Sequence, residues 1–345
     1  MMAYWDGVAR GAAGAWLLLL LALFARDWRA GLVPRFGVLL AASGIAYLVL
    51  THLGPAAQGS GPGLLVHALS VSGPAWFWLF ASALFDDEFA LRPWHWLGVA
   101  LAVLTGLQHE IVPLAGPHWD GPFVYGWRVI SLGLVLAGLA TALRGRDADL
   151  VEGRRRLRLA LVGGTGLGVG AIVLLDVTIK ASPPPLWWQL SNALVLVALA
   201  GGLVLAMLSW RWPDVMAPPP TAEAPRPEAD DSALLARMDA LMQAEYLWRT
   251  EGLSITGLAA RLGVPEYRLR RAINQGRGAR NFNAYVNGLR IAEAAAALAD
   301  PAQREVPVLT IALDAGFGSL APFNRAFRTE MGCTPSEWRA KNLPN

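Results

Sequence analysis

Two stretches near the C-terminus, LAARLGV (Leu258–Val264) and IALDAGF (Ile311–Phe317), repeat one pattern. In each stretch an apolar residue and an alanine open a helical turn, and a glycine follows four residues after the alanine. Glycine adopts the left-handed conformation that ends a helix without steric cost, so each stretch predicts a helix that stops at its glycine. A second amphipathic helix follows each glycine, with a buried face of three apolar residues. These faces are Leu269, Ala272 and Ile273 in the first copy, and Phe323, Ala326 and Phe327 in the second.

The repeated pattern indicates two helix-turn-helix motifs, in which a short turn sets a second helix across the first so that it can enter the major groove of DNA. A joining helix is predicted over Phe282–Ala299, with Asn281 or Asn283 as its N-cap. At about 1.5 Å per residue this helix spans roughly 27 Å, which is close to one turn of B-DNA at about 34 Å. The two recognition helices are therefore expected to enter successive major grooves on one face of a duplex.

The second motif and the residues after it carry a resemblance to a known family. Gly316–Phe327 reads GFGSLAPFNRAF and Gly332–Arg339 reads GCTPSEWR. Together they resemble the signature of AraC/XylS-type transcription regulators, over about Leu253 to Arg339. The resemblance implies an all-helical DNA-binding domain and double-stranded promoter or operator DNA as its partner.

Base contacts in the first motif are expected from the exposed face of its recognition helix. The side chains predicted to form that face are Tyr267, Arg268, Arg270 and Arg271. Arginine pairs in a bidentate manner with guanine O6 and N7, or clamps a phosphate, so Arg270 is predicted to contribute base-specific affinity. The alternative is a solvated basic face on a surface helix, and the tandem motif favours DNA over it.

In the second motif the family resemblance implies DNA contacts at four positions: Leu320, Ala321, Asn324 and Arg325. Leu320 and Ala321 offer no side-chain hydrogen-bond donor, so the chain departs here from a polar pattern. The second helix is therefore expected to contact thymine methyl groups and phosphates, with fewer hydrogen bonds to bases. Arg325 is expected to act mainly through the DNA backbone.

The composition of the rest of the chain is unusual for a soluble protein, because 54% of the 345 residues are hydrophobic and 16% are charged. Seven apolar stretches of about twenty residues follow one another, and each is long enough to cross about 30 Å of hydrocarbon as a helix. The predicted spans are Val8–Phe24, Val33–Leu50, Leu64–Phe85, Trp94–Leu114, Val124–Leu143, Leu157–Ile179 and Leu186–Leu208. The predicted fold class is thus all-α, a seven-helix membrane bundle followed by a tandem helix-turn-helix domain.

The distribution of basic residues predicts the orientation in the bacterial inner membrane. The loops after spans 1, 3 and 5 hold ten arginines: Arg26, Arg29, Arg35, Arg92, Arg144, Arg146, Arg154, Arg155, Arg156 and Arg158. The loops after spans 2, 4 and 6 are nearly free of basic residues, with Lys180 as the exception. Since cytoplasmic loops carry the excess of Lys and Arg, the N-terminus is expected outside and the C-terminal domain in the cytoplasm.

A boundary between two domains is predicted after the last span. Residues 213–231 are rich in Pro and Ala and indicate a linker, which separates a membrane domain (residues 1–212) from a DNA-binding domain (residues 232–345). From Ser232 onward the chain has fourteen Lys and Arg against ten Asp and Glu. An amphipathic helix is predicted over Ala233–Arg249, with Tyr246 at the end of its apolar stripe, and Ser254 is predicted to cap the helix that follows.

Polar residues within the spans suggest a possible site, because such groups are costly in hydrocarbon. With the predicted orientation, seven of them fall on the outer side of the bundle: His67, His109, Glu110, Arg128, Asp176, Gln189 and Asn192. One hypothesis is a ligand-sensing pocket open to the periplasm. The other is an internal network, such as Asp176 with Arg128, that only fixes helix packing. The sequence does not decide between them.

No metal or catalytic site is predicted. Four histidines lie toward one side of the bundle (His52, His67, His109 and His118), but their spacing matches no ligand motif, and isolated interfacial histidines are favoured. The run GGTGLG at Gly163–Gly168 lies inside a span with no strand before it, so it indicates helix packing and not a phosphate-binding loop. The chain is therefore expected to be no enzyme and to need no cofactor.

Taken together, the sequence predicts a membrane-anchored, sequence-specific transcription regulator. Its expected partners are double-stranded DNA, membrane lipid, a small-molecule signal and a second copy of the chain in a homodimer. The alternative is a membrane transporter or enzyme whose fused helix-turn-helix domain serves autoregulation. The absence of recognisable catalytic motifs and the short loops weigh against that alternative.

Overall fold

A computed structural model describes residues 1–53, 61–107, 120–178, 185–209 and 229–343. The described chain forms two compact units, and each has its own core. The first unit comprises Met1–Arg146 and Gly153–Met216, and the second comprises Asp147–Glu152 and Ala217–Asn345. The predicted all-α class is confirmed for the described residues, in which the β-structure is limited to one isolated bridge.

The described helices of the first unit are mostly long and apolar. They are α1 (Met2–Arg26), α2 (Leu32–Leu53), α3 (Gly61–Val71), α4 (Gly73–Phe85), α5 (Pro93–Gly106), α6 (Asp120–Leu143), α7 (Glu152–Thr178, whose first residue belongs to the second unit) and α8 (Leu186–Ser209). Their side chains lack the polar stripe that a water-facing helix needs, and large apolar residues such as Leu18, Leu65 and Val129 are exposed. Exposed apolar faces on long helices are typical of a protein that lies in lipid.

Four stretches in the described part of the chain are long and apolar enough to cross a membrane. They are Met2–Arg26, Leu32–Leu53, Gly126–Leu143 and Leu186–Leu208. Helices α3 and α4 add a fifth crossing if they form one span, with a bend of 44° between them. Their break falls within the predicted span Leu64–Phe85. These stretches account for five of the seven predicted spans.

The other two predicted spans are only partly covered by the described residues. Helix α5 is 14 residues long, and the remainder of Trp94–Leu114 lies largely outside the described residues. Helix α7 covers Leu157–Ile179 except for its last residue, but its first turns carry four arginines. A total of seven spans therefore stays a prediction.

Close helix packing holds the core of the first unit together. Gly37 on α2 faces the ring of Phe24 on α1, and a Cβ at position 37 would lie 2.6 Å from that ring. The same phenylalanine packs edge-on against Phe80 of α4, with ring centroids 5.6 Å apart. Small residues let helices approach closely and so increase their van der Waals contact. This contact matters most in lipid, where the hydrophobic effect does not drive helices together.

Two buried arginines of α7 bind the ends of other helices of the first unit. Arg158 donates hydrogen bonds to the carbonyl oxygens of Phe85 (2.9 Å) and Ala142 (3.0 Å), at the C-terminal ends of α4 and α6. Arg154 donates to the carbonyl oxygen of Leu84 (3.2 Å) and to Asp87 Oδ1 (2.8 Å). The last carbonyl groups of a helix have no partner within it, so a cation there is favourable. These two arginines thus have a structural role besides the charge that predicts orientation.

The second unit consists of short helices around two apolar clusters. Its helices are α9 (Ala229–Glu245), α10 (Ile255–Leu262), α11 (Glu266–Arg277), α12 (Phe282–Ala299), α13 (Val308–Asp314), α14 (Leu320–Met331) and α15 (Pro335–Asn342). One cluster joins α9, α10, α11 and the start of α12, and the other joins the end of α12 to α13 and α14. Helix α12 therefore contributes to both cores.

The local signals at the ends of these helices are confirmed. Helix α12 has the predicted bounds, and the side chain of its N-cap Asn281 accepts a hydrogen bond from the backbone N–H of Ala284. Ser254 caps α10 in the same way. Gly263 and Gly316 both have positive φ angles, +65° and +95°, as the two repeated stretches predict.

The start of the second unit differs from the prediction. Helix α9 begins four residues before the predicted Ala233 and ends at Glu245, and Leu247–Arg249 form a separate 3-10 turn. Tyr246 does not lie on the apolar stripe of the helix, because its φ of +49° breaks the helix there and leaves its side chain about half exposed. Most of the predicted linker, residues 213–228, lies outside the described residues.

Candidate nucleic-acid interface

The first helix-turn-helix consists of α10, a turn and α11. Gly263 ends α10 in the left-handed conformation. Pro265 is the N-cap of α11, and the fixed φ angle of proline suits this position. Leu269, Ala272 and Ile273 are buried as predicted. With 3.6 residues per turn, the opposite face of α11 carries Tyr267 and its neighbours and points away from the core.

The predicted contact residues of the first motif fall into different surroundings. Tyr267 is strongly exposed, at 69%. Arg268 is half-buried, and the side chain of Arg271 is nearly half exposed. Both oxygens of the buried Asp231 accept hydrogen bonds from Arg271 at 3.2 Å, so an acidic residue of α9 already holds this arginine.

The prediction that Arg270 lies on the exposed face of the recognition helix is wrong. Arg270 is only 3% exposed. Its Nη1 donates to the carbonyl oxygen of Asp149 (2.5 Å), its Nη2 to that of Asp147 (2.7 Å), and its Nε to Glu266 Oε1 (2.8 Å). Arg270 lies about 100° around the helix from the buried Leu269. Residues from far earlier in the chain cover that flank and accept hydrogen bonds from the guanidinium of Arg270.

Those covering residues are Asp147–Glu152, which we call the inserted segment. The segment pairs with residues 280–282 in an antiparallel arrangement: Leu150 N–H donates to Arg280 O (2.8 Å), and Phe282 N–H donates to Ala148 O (2.7 Å). Asp149 and Asn281 form the isolated bridge between these two bonds. The side chains of Ala148 and Leu150 are buried in the apolar cluster of the first motif. The predicted domain boundaries place residues 1–212 in one domain, whereas in the structure Asp147–Glu152 belong to the second unit.

The second helix-turn-helix consists of α13, a turn and α14. Gly316 is needed in its turn for two reasons: its φ is +95°, and a Cβ there would lie 2.7 Å from the backbone of Arg249. On α14 the predicted contact residues Ala321, Asn324 and Arg325 are exposed, and Leu320 is half-buried against the core. Here the recognition face is open to solvent.

Helix α12 is fixed to the turn between α9 and α10 by Arg290. Its Nε donates to the carbonyl oxygen of Trp248 (2.5 Å) and its Nη2 to that of Thr250 (2.9 Å). The guanidinium also lies 5.5 Å from the ring centroid of Phe317, in the turn of the second motif. Burial lowers the pKa of Arg290 from its usual value, with a smaller opposing contribution from Glu251. One side chain thus touches both the segment that precedes the first motif and the turn of the second motif.

Several neighbours of the predicted contact residues were not predicted from the sequence. Acidic residues of α9 pair with the basic residues of the first motif: Asp231 with Arg271, Asp239 with Arg277, and Glu245 with Arg261. A helical spacing of acids on α9 could have suggested this. Arg328, exposed one turn after Asn324, also belongs to the open face of α14. The inserted segment has no motif that could have indicated its place.

The residues proposed for a membrane pocket are only partly described. Gln189 lies at a polar contact of α1, α2 and α8, where Arg10 donates hydrogen bonds to Asp6 (2.8 Å) and Thr51 (2.6 Å) and approaches Gln189 Oε1 (3.5 Å). His67 is buried on α3.

Of the other five members of the proposed pocket, the structure describes the side chains of two, Asn192 and Arg128. The amide of Asn192 donates to the carbonyl of Trp188 on its own helix (3.0 Å). Arg128 lies on α6 with interactions of its own. His109, Glu110 and the side chain of Asp176 lie outside the described residues, as does His118. Among the residues that are described, no three His, Cys, Asp or Glu side chains gather as metal ligands would.

Comparison with known proteins identifies the second unit. A family model described as a helix-turn-helix domain matches residues 258–341. The chain is also 33% identical, over 93 residues, to a protein of Proteus vulgaris named probable transcription factor PqrA, and the match covers 27% of this chain and 73% of that protein. No solved structure gives a significant match. The residues matched by the family model, from Leu258 in α10 to Lys341 in α15, include both recognition helices. Through its C-terminal quarter the chain therefore belongs to the AraC-type helix-turn-helix transcription factors.

Proposed function

We propose that the chain is a membrane-anchored, sequence-specific transcription regulator whose DNA-binding unit works in the cytoplasm. The observation that carries the proposal is the open recognition face of α14, in a chain whose described residues before Ser209 include four helices long and apolar enough to cross a membrane. Lipid is the partner of these helices, and double-stranded DNA is the partner of the two motifs.

DNA contact is proposed for both motifs, with different side chains. In the second motif Leu320 and Ala321 meet thymine methyl groups, while Asn324 and Arg325 bind bases and phosphates. In the first motif the contacts come from Tyr267, Arg268 and Arg271, and from Arg270 when its flank is uncovered. The length of α12, roughly 27 Å for 18 residues, suits two adjacent major grooves.

The proposal is tested by locating the protein and its DNA together. We expect the intact chain in the membrane fraction, and chromatin immunoprecipitation to recover a small set of promoters with a shared sequence. The double variant N324A/R325A should lose that enrichment, whereas R261A, on α10 and paired with Glu245, should keep it. Recovery of the intact chain in the soluble fraction, or DNA recovery without sequence preference, would contradict the proposal.

A signal-sensing role for the first unit is part of the same proposal. The polar residues on its outer side, His67, His109, Glu110, Arg128, Asp176, Gln189 and Asn192, are proposed to bind a small molecule from the periplasm. Binding would alter the pairing of two chains in a homodimer, which raises the effective concentration of DNA-binding units at paired sites. A thermal-shift screen of small molecules in detergent, with D176N and R128Q as controls, tests it. Equal shifts in the variants and the parent would count against the pocket.

A further inference from the structure

We propose that the inserted segment, Asp147–Glu152, is an internal inhibitor of the first helix-turn-helix. When docked, it holds Arg270 and covers one flank of α11, so DNA has to displace it before the first motif can bind fully. The inference rests on the proposed DNA-binding function. It adds a means by which the same chain limits that function.

The segment is docked as a specific ligand would be. Its two backbone hydrogen bonds to Arg280 and Phe282 follow the pattern by which an extended peptide adds to an exposed backbone edge. Leu150 is 3% exposed, inside the cluster formed around Leu269 and Ile273. Asp149 is buried as well, and its Oδ1 accepts a hydrogen bond from the N–H of Val151, which shapes the turn. A connection that merely passed nearby would not bury its apolar side chains in the core of the second unit.

The docked segment uses the hydrogen-bond donors that DNA would need. A guanidinium has five N–H donors in one plane, and it recognises guanine or phosphate by presenting two of them together. In Arg270 the Nη1 and Nη2 groups point to the carbonyl oxygens of Asp149 and Asp147, while Glu266 binds Nε and Nη2. Binding of Arg270 to the segment and to a base edge is therefore mutually exclusive.

The two motifs differ in this respect, which gives the proposal a measurable form. Ala321, Asn324 and Arg325 of the second motif are exposed, so this motif is ready to bind while the first is held. The docked chain should bind half of its site, and the undocked chain the whole of it. If about 90% of the molecules are docked, the apparent affinity falls about tenfold below that of the open form.

The position of the segment in the chain gives a route for regulation. Only Arg144–Arg146 separate it from the end of α6 at Leu143, and α7 begins at its last residue, Glu152. Both helices belong mainly to the apolar unit. A change in the distance between the ends of these two helices acts on the segment directly through the covalent chain. A ligand of the first unit that binds the undocked form more tightly than the docked form would therefore raise the affinity for DNA, by a factor set by that difference in binding.

A reversible covalent lock tests the proposal. Asp149 and Asn281 face each other as a non-hydrogen-bonded antiparallel pair, whose Cα atoms lie about 4.5 Å apart and suit a disulfide. The full chain with D149C/N281C, and with its one native cysteine removed by C333S, would be placed in nanodiscs. Binding would be measured to a duplex that the wild-type chain selects from a random pool.

We expect oxidation to weaken binding at least tenfold and to confine the DNA footprint to the half contacted by the second motif. A reducing agent should restore both the affinity and the full footprint. The single variant D149C/C333S, oxidised in the same way, is the matched control and should not respond. Equal affinity and equal footprints of the oxidised and reduced double variant would overturn the proposal.

A second variant opens the segment instead of locking it. L150S removes the buried anchor of the segment and should bind the same duplex about tenfold more tightly than the parent, with a longer footprint. E88S, in the exposed loop between α4 and α5, is the control and should match the parent. If L150S binds no more tightly than E88S, inhibition by the segment is refuted. If no form binds DNA, including the reduced and opened ones, the proposed function fails and the inference with it.

Discussion

Gly263 and Gly316 end equivalent helices but should tolerate alanine to different degrees. A Cβ at Gly263 meets no atom within 4 Å, so G263A carries only the cost of a left-handed alanine, about 1 kcal/mol. At Gly316 the added Cβ would also collide with the backbone of Arg249 at 2.7 Å. We expect G316A to lower the free energy of unfolding by at least about 3 kcal/mol. Urea unfolding of the full chain in detergent, followed by circular dichroism, measures the difference, and equal losses would contradict it.

Arg325 should contribute to DNA affinity without specifying sequence. Its side chain on α14 is exposed, and we propose that it neutralises a phosphate, so R325A should weaken binding to all duplexes alike. The slope of log affinity against log salt should fall by about 1. Fluorescence anisotropy titrations at several salt concentrations, with selected and scrambled duplexes, measure both quantities. R261A is the control. A loss limited to the selected duplex would show base recognition instead.

At the scale of the element, α12 sets the spacing of the two motifs, and Arg290 joins α12 to the segment before α10 and to the turn of the second motif. R290M keeps the apolar stem but removes the donors to the carbonyl oxygens of Trp248 and Thr250. Since the part-buried carbonyl of Trp248 would lose a charged partner while the exposed carbonyl of Thr250 can bind water instead, we expect a loss of about 1–2 kcal/mol in unfolding free energy.

The matched variant R290K tests why an arginine is needed there. A single ammonium cannot reproduce the planar fork that reaches both carbonyls, so R290K should recover little of the stability. The same urea unfolding measurement compares the two variants. Full recovery by lysine would mean that charge alone matters at this position.

At the scale of the whole molecule, the orientation of the chain decides whether the motifs can reach DNA. With the N-terminus outside, a cysteine placed at Ala3 in the C333S background should react with a membrane-impermeant thiol reagent in intact spheroplasts. A cysteine at Glu88 should react only after lysis, because its loop is predicted on the cytoplasmic side. Both positions are exposed, so accessibility is matched. The opposite labelling pattern would reverse the topology.

Local sequence signals predicted the C-terminal unit well. The paired glycines, the caps at Ser254 and Asn281, and the bounds of Phe282–Ala299 are all present in the structure. They were predictable because each depends on residues within one or two turns: a positive φ selects glycine, and an N-cap selects a short polar side chain. The apolar stretches likewise predicted long helices. A helix that crosses a hydrocarbon layer needs about twenty consecutive apolar residues, and such a run is visible in the sequence.

The sequence by itself therefore determined the class of the molecule: two DNA-reading motifs on a chain of apolar helices. Only the tertiary structure decided which of the predicted DNA-contact residues are exposed to solvent. Arg270 and Arg325 are both arginines of a recognition helix, yet one is buried under Asp147 and Asp149 and the other faces solvent. The physical reason is that a contact between residues more than a hundred positions apart depends on where a distant segment packs in the folded chain. The residues next to Arg270 in the sequence do not determine which backbone edge and which apolar cluster that segment contacts.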